Sequence, residues 1–118
     1  MSTRNYELKW YVGAGTTHDL APTEVAEILR DVLGAEFGGG TVVQGIGFWT
    51  NPHGETFSEP AVVGETHATA IDTGGMLALR KHGATVAARL AALLGQQAVR
   101  YSCLGQVRGD GAAFGSRP

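Results

Sequence analysis

Three glutamates share one side of a strand-like segment in the middle of the chain. Glu55, Glu59 and Glu65 alternate in phase with apolar residues, so carboxylates and hydrophobic side chains fall on one face of the predicted strand. Glu59 directly precedes Pro60, which cannot donate a ladder hydrogen bond and predicts a bend or bulge there. An ordinary edge or solvent-exposed carboxylate is the alternative. Glu59 is the candidate catalytic group.

Two adjacent aromatic residues lie just before the turn that leads back toward this glutamate. Phe48 and Trp49 precede the turn residues Pro52–Gly54. Aromatic rings beside a carboxylate can stack on a flat base while the carboxylate fixes its polar edge. In the alternative interpretation, one ring belongs to the core and the other covers a neighbouring subunit. Both residues are therefore candidates for substrate binding.

Two polar segments at element boundaries offer further contacts to a ligand. Thr16 and Thr17 follow the segment Gly13–Gly15, where hydroxyl and backbone N–H groups could donate hydrogen bonds. This segment lacks the full glycine pattern of a nucleotide-binding loop, so simple turn geometry is the alternative. Gln96 and Gln97 mark the start of the last strand, where amides either cap the preceding helix or hold a polar ligand.

The histidines and the single cysteine predict neither a metal site nor a nucleophile. The four histidines are His18, His53, His67 and His82. We expect that none of them shares a metal-ligand spacing with another histidine, with Cys103 or with clustered carboxylates. The neighbours of Cys103 include no base that would activate its thiol. We expect solvated or structural histidines, a small hydrophobic role for Cys103, and no metal or cofactor.

Composition restricts the class of protein. A length of 118 residues leaves room for one hydrophobic core. Nine basic and eleven acidic residues give a net charge of −2 without a basic cluster, which disfavours a nucleic-acid partner. One cysteine predicts no disulfide framework, and neither a signal-like segment nor a run of about 20 apolar residues occurs. The expected location is therefore cytoplasmic, without a membrane partner.

The hydrophobic pattern predicts six elements in the order β-α-β-β-α-β. They are strands at 6–12, 41–49, 55–71 and 97–107, and helices at 22–34 and 76–95, each closed by glycine. Two right-handed crossovers would place both helices on one face of a four-stranded antiparallel sheet. The expected fold is therefore α+β and ferredoxin-like, with one domain over residues 1–108 and a flexible glycine-rich tail over 109–118. We expect subunits to associate through the other face of the sheet.

Short motifs spread along the chain resemble two families. The motifs are Tyr11-x-Gly13, Gly40-Thr41-Val42, Gly45-x-Gly47-x-Trp49, Gly54, Glu59-Pro60 and Gln96-Gln97-x-Val99. From about residue 11 to residue 107 they resemble a family of small bacterial domains of unknown function. The same layout resembles, more distantly, the phage S-adenosylmethionine lyases, which have a ferredoxin-like, trimeric fold similar to the PII signalling proteins.

The lyase resemblance implies a substrate site between the subunits of a homotrimer. In the lyases an aromatic residue ends the second strand, a carboxylate lies on the third, and a glutamine followed by a polar residue opens the last. The matching positions here are Phe48 or Trp49, then Glu59, then Gln96 with Gln97. This sequence departs from the pattern in two places, because Phe or Trp replaces a tyrosine and Gln97 replaces an acid.

The resulting hypothesis is a domain that binds a nucleoside-like small molecule and needs no cofactor. By the resemblance, it would degrade S-adenosylmethionine to methylthioadenosine and homoserine lactone through attack by the substrate's own carboxylate. A non-catalytic oligomeric interaction module is one alternative. A cofactor-free isomerase or cyclase with an interior pocket is another.

Overall fold

The computed structural model describes residues 4–14, 20–95 and 99–105, and it contains the six expected elements in the expected order. They are β1 (Arg4–Gly13), α1 (Pro22–Phe37), β2 (Thr41–Thr50), β3 (Thr56–Ala70), α2 (Thr73–Leu94) and β4 (Arg100–Gly105). The strands form one antiparallel sheet in the order β2-β3-β1-β4. The predicted α+β fold is therefore confirmed. The predicted tail at 109–118 lies outside the described residues.

One face of β1 forms the centre of the core. Its buried side chains are Tyr6, Leu8, Trp10 and Val12, as the alternation along the strand predicts. The indole Nε1 of Trp10 donates a hydrogen bond to the carbonyl oxygen of Gly83 in α2 at 3.0 Å. The same ring stacks on Tyr101 of β4 with centroids 5.3 Å apart. A single side chain thus joins β1 to the helical layer and to its neighbouring strand.

Both helices approach this same face closely because two glycines lack side chains. Gly64 of β3 pairs with Trp10, and a Cβ on it would lie 2.7 Å from Cδ2 of Leu29 in α1. A Cβ on Gly83 of α2 would overlap the hydroxyl group of Tyr101. The helices therefore cover one side of the sheet and leave the other side uncovered, as predicted.

Helix α1 extends beyond its predicted end. The helix ends at Gly38, whose φ of 86° is left-handed and whose N–H donates to the carbonyl oxygen of Gly34. The ring of Phe37 lies 5.4 Å from the ring of Trp10. The prediction that the helix stops at Gly34 is wrong, because the extra turn brings Phe37 against the core.

Strand β3 passes through Pro60 without the expected bulge. Its registers with β1 and β2 are continuous, with one residue opposite one throughout. The N–H of Ala14 donates to the carbonyl oxygen of Pro60 at 2.8 Å, just past the end of β1. The proline therefore lies one residue beyond the last β1–β3 pair, Gly13 with Ala61, where a missing N–H costs that ladder little.

None of the helices in the described part of the chain has the length and apolar character needed to span a membrane.

Candidate functional site

The side of the sheet opposite the helices, called here the open face, carries a row of very small residues. Gly13 of β1, Ala61 of β3 and Gly45 of β2 pair side by side across three strands. Gly47 lies one row further along, opposite Glu59. Among the described residues, no atom lies within 4 Å of a Cβ built on Gly45, so none of them fills the space above it. Gly13, Gly45, Gly47 and Ala61 are called the glycine floor below.

Aromatic residues border the glycine floor at both ends. Trp49 pairs with Phe57 in the row beyond Glu59, and their rings stack with centroids 5.4 Å apart and planes 23° apart. At the other end Tyr11 pairs with Val63 in the row next to Ala61. The guanidinium group of Arg100 lies 5.1 Å from the centroid of the Tyr11 ring. A flat floor between aromatic side chains is a surface on which a planar ring can lie.

The side chain of Glu59 lies within this surface. Glu59 is half-buried, and its carboxylate lies over Gly13, with Oε1 2.8 Å from where a Cβ on that glycine would stand. A residue that precedes proline is restricted to extended backbone, so Pro60 helps to fix the direction in which Glu59 leaves the strand. Glu59 thus lies in the row next to the Trp49–Phe57 pair, and its carboxylate lies over Gly13 of the glycine floor.

The turn between β2 and β3 sets the register that creates this arrangement. The Oδ1 atom of Asn51 accepts hydrogen bonds from the N–H groups of His53 and Glu55, at 2.9 and 3.0 Å. Gly54 has a φ of 84°, which glycine adopts without strain. Because the turn is fixed in this way, Trp49 meets Phe57 and Gly47 meets Glu59.

The two predicted aromatic residues lie on opposite faces of β2. Trp49 is on the open face with Glu59 and is 55% exposed, whereas Phe48 is on the helix side and is 72% exposed. Neither ring is part of the core. Of the two, only Trp49 shares a face with the carboxylate, and its role in binding stays a prediction.

The four remaining predicted contacts, Thr16, Thr17, Gln96 and Gln97, lie outside the described residues. Their proposed contacts to a ligand stay predictions.

Sequence reasoning missed the glycine floor and Phe57 as parts of the site. A signal was present in Gly45-x-Gly47-x-Trp49, where two glycines and an aromatic residue alternate on one side of a strand. That pattern places the three on one face, but only the register with β1 and β3 adds Gly13 and Ala61 to them.

A charged cluster occupies the open face further along β1 and β3. The Nζ atom of Lys9 lies 3.4 Å from a Glu7 oxygen and 3.7 Å from a Glu65 oxygen, and Nε2 of His67 lies 3.6 Å from Glu7. Partial burial favours a higher pKa for the Glu7 carboxyl. The neighbouring side chains outweigh it, Lys9 by its positive charge and its hydrogen bond to the carboxylate, so the pKa lies below its ordinary value.

This cluster also has atoms that suit a metal ion. Glu7, Glu65 and His67 offer ligand atoms that all lie within 4.8 Å of one another. Lys9 already supplies positive charge to both carboxylates. The cluster is therefore explained as an ion-pair network without a metal.

A groove of about 660 Å³ lies on the helix side of the sheet, between α1 and β2. Apolar residues such as Ala26, Leu33 and Val42 line it, with Glu27 and Arg30 beside them. It does not include Glu59 or the glycine floor, because those residues are on the open face.

Two solved structures of a phage S-adenosylmethionine lyase share this fold. The lyase in its apo state aligns with a TM-score of 0.60 and 13% identity, over 85% of this chain and 79% of that chain. Its complex with S-methyl-5'-thioadenosine aligns with a TM-score of 0.58 and 12% identity, over 84% and 79%. The resemblance to these lyases is thereby confirmed at the level of the fold.

No protein-family model and no curated protein matches the chain. The resemblance to small bacterial domains therefore stays a prediction. A hydantoinase/carbamoylase family amidase from Burkholderia ambifaria aligns with a TM-score of 0.38 and 14% identity, over 91% of this chain and 28% of that chain, which is too weak to carry an argument.

Proposed function

We propose that the chain is a cofactor-free lyase that binds S-adenosylmethionine between the subunits of a homotrimer and converts it to methylthioadenosine and homoserine lactone. The observation that carries the proposal is the position of Glu59, beside the glycine floor and the Trp49–Phe57 pair, on a fold shared with a phage S-adenosylmethionine lyase.

The chemistry suits a surface that offers shape and apolar surroundings. The substrate's own carboxylate oxygen attacks the carbon of the methionine part that is bonded to the sulfonium. The bond between that carbon and sulfur breaks, and its electron pair stays on sulfur. Both charges that react are neutralised, and no proton is transferred. Such a step gains from correct orientation and from exclusion of water around the reacting charges. A floor of glycine and alanine bordered by aromatic rings supplies an apolar surface of this kind.

Each part of the site has a role in this proposal. The adenine ring lies on the glycine floor and stacks with Trp49 or Phe57. An aromatic face also attracts the positively charged sulfonium group. The carboxylate of Glu59 holds the ammonium group of the methionine part by a charge-assisted hydrogen bond. Gln96 and Gln97, with Thr16 and Thr17, contact the remaining polar groups.

Exposed apolar residues support the subunit association that the proposal requires. The distal part of the β2–β3 hairpin, residues 44–60, is called here the hairpin arm, and none of its residues is buried in one chain. It exposes Ile46, Phe48, Trp49 and Phe57. Apolar side chains gathered on both faces of one arm are typical of a surface that another chain covers.

The same exposed arm also favours a second candidate, a non-catalytic oligomeric module. In that case the arm joins subunits and the glycine floor only permits close contact between strands. The two candidates differ in one respect, because only the first requires binding of a nucleoside-like molecule.

The test is to incubate the purified protein with S-adenosylmethionine. Chromatography then measures the two expected products, methylthioadenosine and homoserine lactone. Thermal shift with S-adenosylmethionine and with methylthioadenosine measures binding separately. We expect both products in equal amounts and a raised melting temperature with each ligand. Absence of product together with absence of any shift would contradict the lyase, and a ligand-independent oligomer would then favour the second candidate.

Glu59→Gln is the sharpest variant, because it keeps the shape of the side chain and removes the charge. We expect the rate to fall about 100-fold or more, a far larger effect than any fall in the melting temperature. Glu65→Gln is the matched control, since Glu65 is on the same strand and the same face but away from the glycine floor. Equal losses of rate in the two variants would contradict a specific role for the Glu59 carboxylate in the reaction.

A further inference from the structure

Gly13 is a strand glycine that its own backbone does not require. Among the described residues, the glycines with positive φ are Gly38, Gly54 and Gly95, so Gly13 has a conformation that other residues adopt freely. Glycine in a strand costs stability because it loses more backbone freedom on folding than other residues. The choice of glycine here therefore calls for a reason outside the backbone.

The carboxylate of Glu59 occupies the place of the missing side chain. A Cβ on Gly13 would lie 2.8 Å from Oε1 of Glu59, 3.5 Å from its Cδ and 3.8 Å from its Oε2. The first distance is shorter than a carbon and an oxygen atom tolerate without bonding. Any larger residue at position 13 must therefore push the carboxylate away from β1.

The backbone around Glu59 is held at the same place. Gly13 is the last residue of β1 that pairs with β3, and the next residue, Ala14, is buried and donates to Pro60 at 2.8 Å. The end of β1 is thus fixed against the residue that follows Glu59. With the backbone fixed, the side-chain conformation of Glu59 decides where its carboxylate lies, and Gly13 leaves room for a conformation that lies over β1.

The second glycine beside Glu59 does not have this relation to the carboxylate. Gly47 pairs with Glu59 from β2, but a Cβ there would meet only Cβ of Ala61 at 3.7 Å and the backbone oxygen of Glu59 at 3.9 Å. Both are ordinary contacts. The carboxylate therefore leans toward β1, and Gly13 and Gly47 differ in what they permit although both flank the same residue.

We propose that Gly13 is a positioning residue for the Glu59 carboxylate, and that it lets this group lie over the end of β1 at one edge of the glycine floor. The proposal deepens the proposed function and rests on it for its catalytic meaning. Gly13 itself touches no reacting atom in this scheme, because it acts only through the direction of Glu59.

Gly13→Ala tests the catalytic meaning in combination with Glu59→Gln. We expect Gly13→Ala alone to lower kcat for S-adenosylmethionine cleavage about 10- to 100-fold, since small displacements of positioned groups have effects of this size. The melting temperature should be unchanged or raised. In the Glu59→Gln background the same substitution should have little further effect, because no carboxylate remains to be positioned. Equal losses in both backgrounds would overturn the proposal.

A spectroscopic measurement tests the positioning independently of any activity. The ¹³C carboxyl resonance of Glu59 is assigned from its absence in Glu59→Gln. We expect this resonance to move in Gly13→Ala and to stay in place in Gly47→Ala. An unmoved resonance in Gly13→Ala would overturn the proposal even if the protein is a lyase. A moved resonance in a protein without lyase activity would support Gly13 while the proposed function fails.

Discussion

Strand β1 and the hairpin arm belong to one sheet but have opposite surroundings. One side of β1 is covered by both helices, and its even-numbered side chains are buried from Tyr6 to Val12. In the hairpin arm, by contrast, none of the residues from 44 to 60 is buried. Yet the arm carries Ile46, at 74% exposed, and Phe48, at 72% exposed.

The two regions are therefore specified in different ways. The body around β1 is specified within one chain, because the apolar side chains on its inner face are buried there and Trp10 contacts Phe37 of α1, Gly83 of α2 and Tyr101 of β4. The arm has β-branched, aromatic and glycine residues but no covering layer of its own. Under the proposed function, other subunits cover these apolar residues, and the proposed site lies at that contact.

Removing the aromatic pair of the arm tests this comparison with the largest expected effect. Trp49→Ser combined with Phe57→Ser should weaken subunit association by about 2–4 kcal/mol, the range for buried aromatic anchors at interfaces. The fold of the single chain should persist, because these rings cover nothing in the body. Light scattering after size exclusion measures the mass, and circular dichroism measures the fold.

Leu77→Ser is the matched control for the aromatic pair. Leu77 is on α2 and is 56% exposed, close to the 55% of Trp49, but it belongs to the body. We expect its substitution to leave the oligomer intact. A monomeric wild-type protein, or equal loss of mass in both variants, would remove the distinction between arm and body.

Gly83→Ala tests how tightly the body is packed where α2 contacts β4. Alanine normally stabilises a helix by about 1 kcal/mol relative to glycine. Here its Cβ would overlap Tyr101, and overpacking of a core costs about 1–3 kcal/mol. We expect net destabilisation in urea unfolding.

Gly34→Ala, the matched change on α1, should instead stabilise, because its Cβ meets nothing within 4 Å. Stabilisation by Gly83→Ala as well would mean that the contact between α2 and β4 is loose.

Much of the body could be predicted from sequence, because its burial follows the simple periods of strands and helices. The end of α1 was mispredicted because Gly34 looks like a helix stop, whereas the contact of Phe37 with Trp10 extends the helix. Such a contact joins residues far apart in the chain, and local patterns do not contain it. The same limit applies at Pro60, where a bend or bulge is predicted and no bulge occurs, because the end of β1 determines how many ladder hydrogen bonds a proline removes there.

The candidate site could be predicted only in part for a similar reason. The side of the strand on which Glu59 lies follows from alternation along the strand. That Trp49, unlike Phe48, shares this face follows from the turn at Asn51, which sets the register between β2 and β3. Gly13 belongs to the site because β1 pairs with β3, and no short sequence pattern predicts that pairing.

Gly45→Ala separates stability from function within the arm. A Cβ at this position meets no atom of the described residues within 4 Å, so alanine should stabilise the strand by about 0.5–1 kcal/mol. If the adenine ring lies on the glycine floor, the same methyl group should weaken binding of methylthioadenosine, which calorimetry measures. Gly34→Ala provides the control, with similar stabilisation and unchanged binding. Unchanged affinity in Gly45→Ala would place the ligand elsewhere.

The smallest expected effect concerns the link between the two helices of the body. Nε2 of His82 in α2 lies 2.8 Å from Oε1 of Glu36 in α1, and Arg89 donates to Oε2 at 2.9 Å. The hydrogen bond with His82, followed by the one with Arg89, holds the pKa of the Glu36 carboxyl below its ordinary value of 4.5. The unfolded chain therefore takes up this proton first as the pH falls.

The stabilisation from Glu36 is thus complete above about pH 4.5 and is lost as the pH falls through the lower pKa of the folded state. Glu36→Gln should lower the melting temperature slightly at pH 7 and flatten its decline in acid. Glu27→Gln, on the same helix but outside this network, should keep the wild-type decline. If the melting temperatures of wild type and Glu36→Gln decline in parallel as the pH falls, the helices are joined by apolar packing alone. The network around Glu36 would then contribute nothing to the stability of the body.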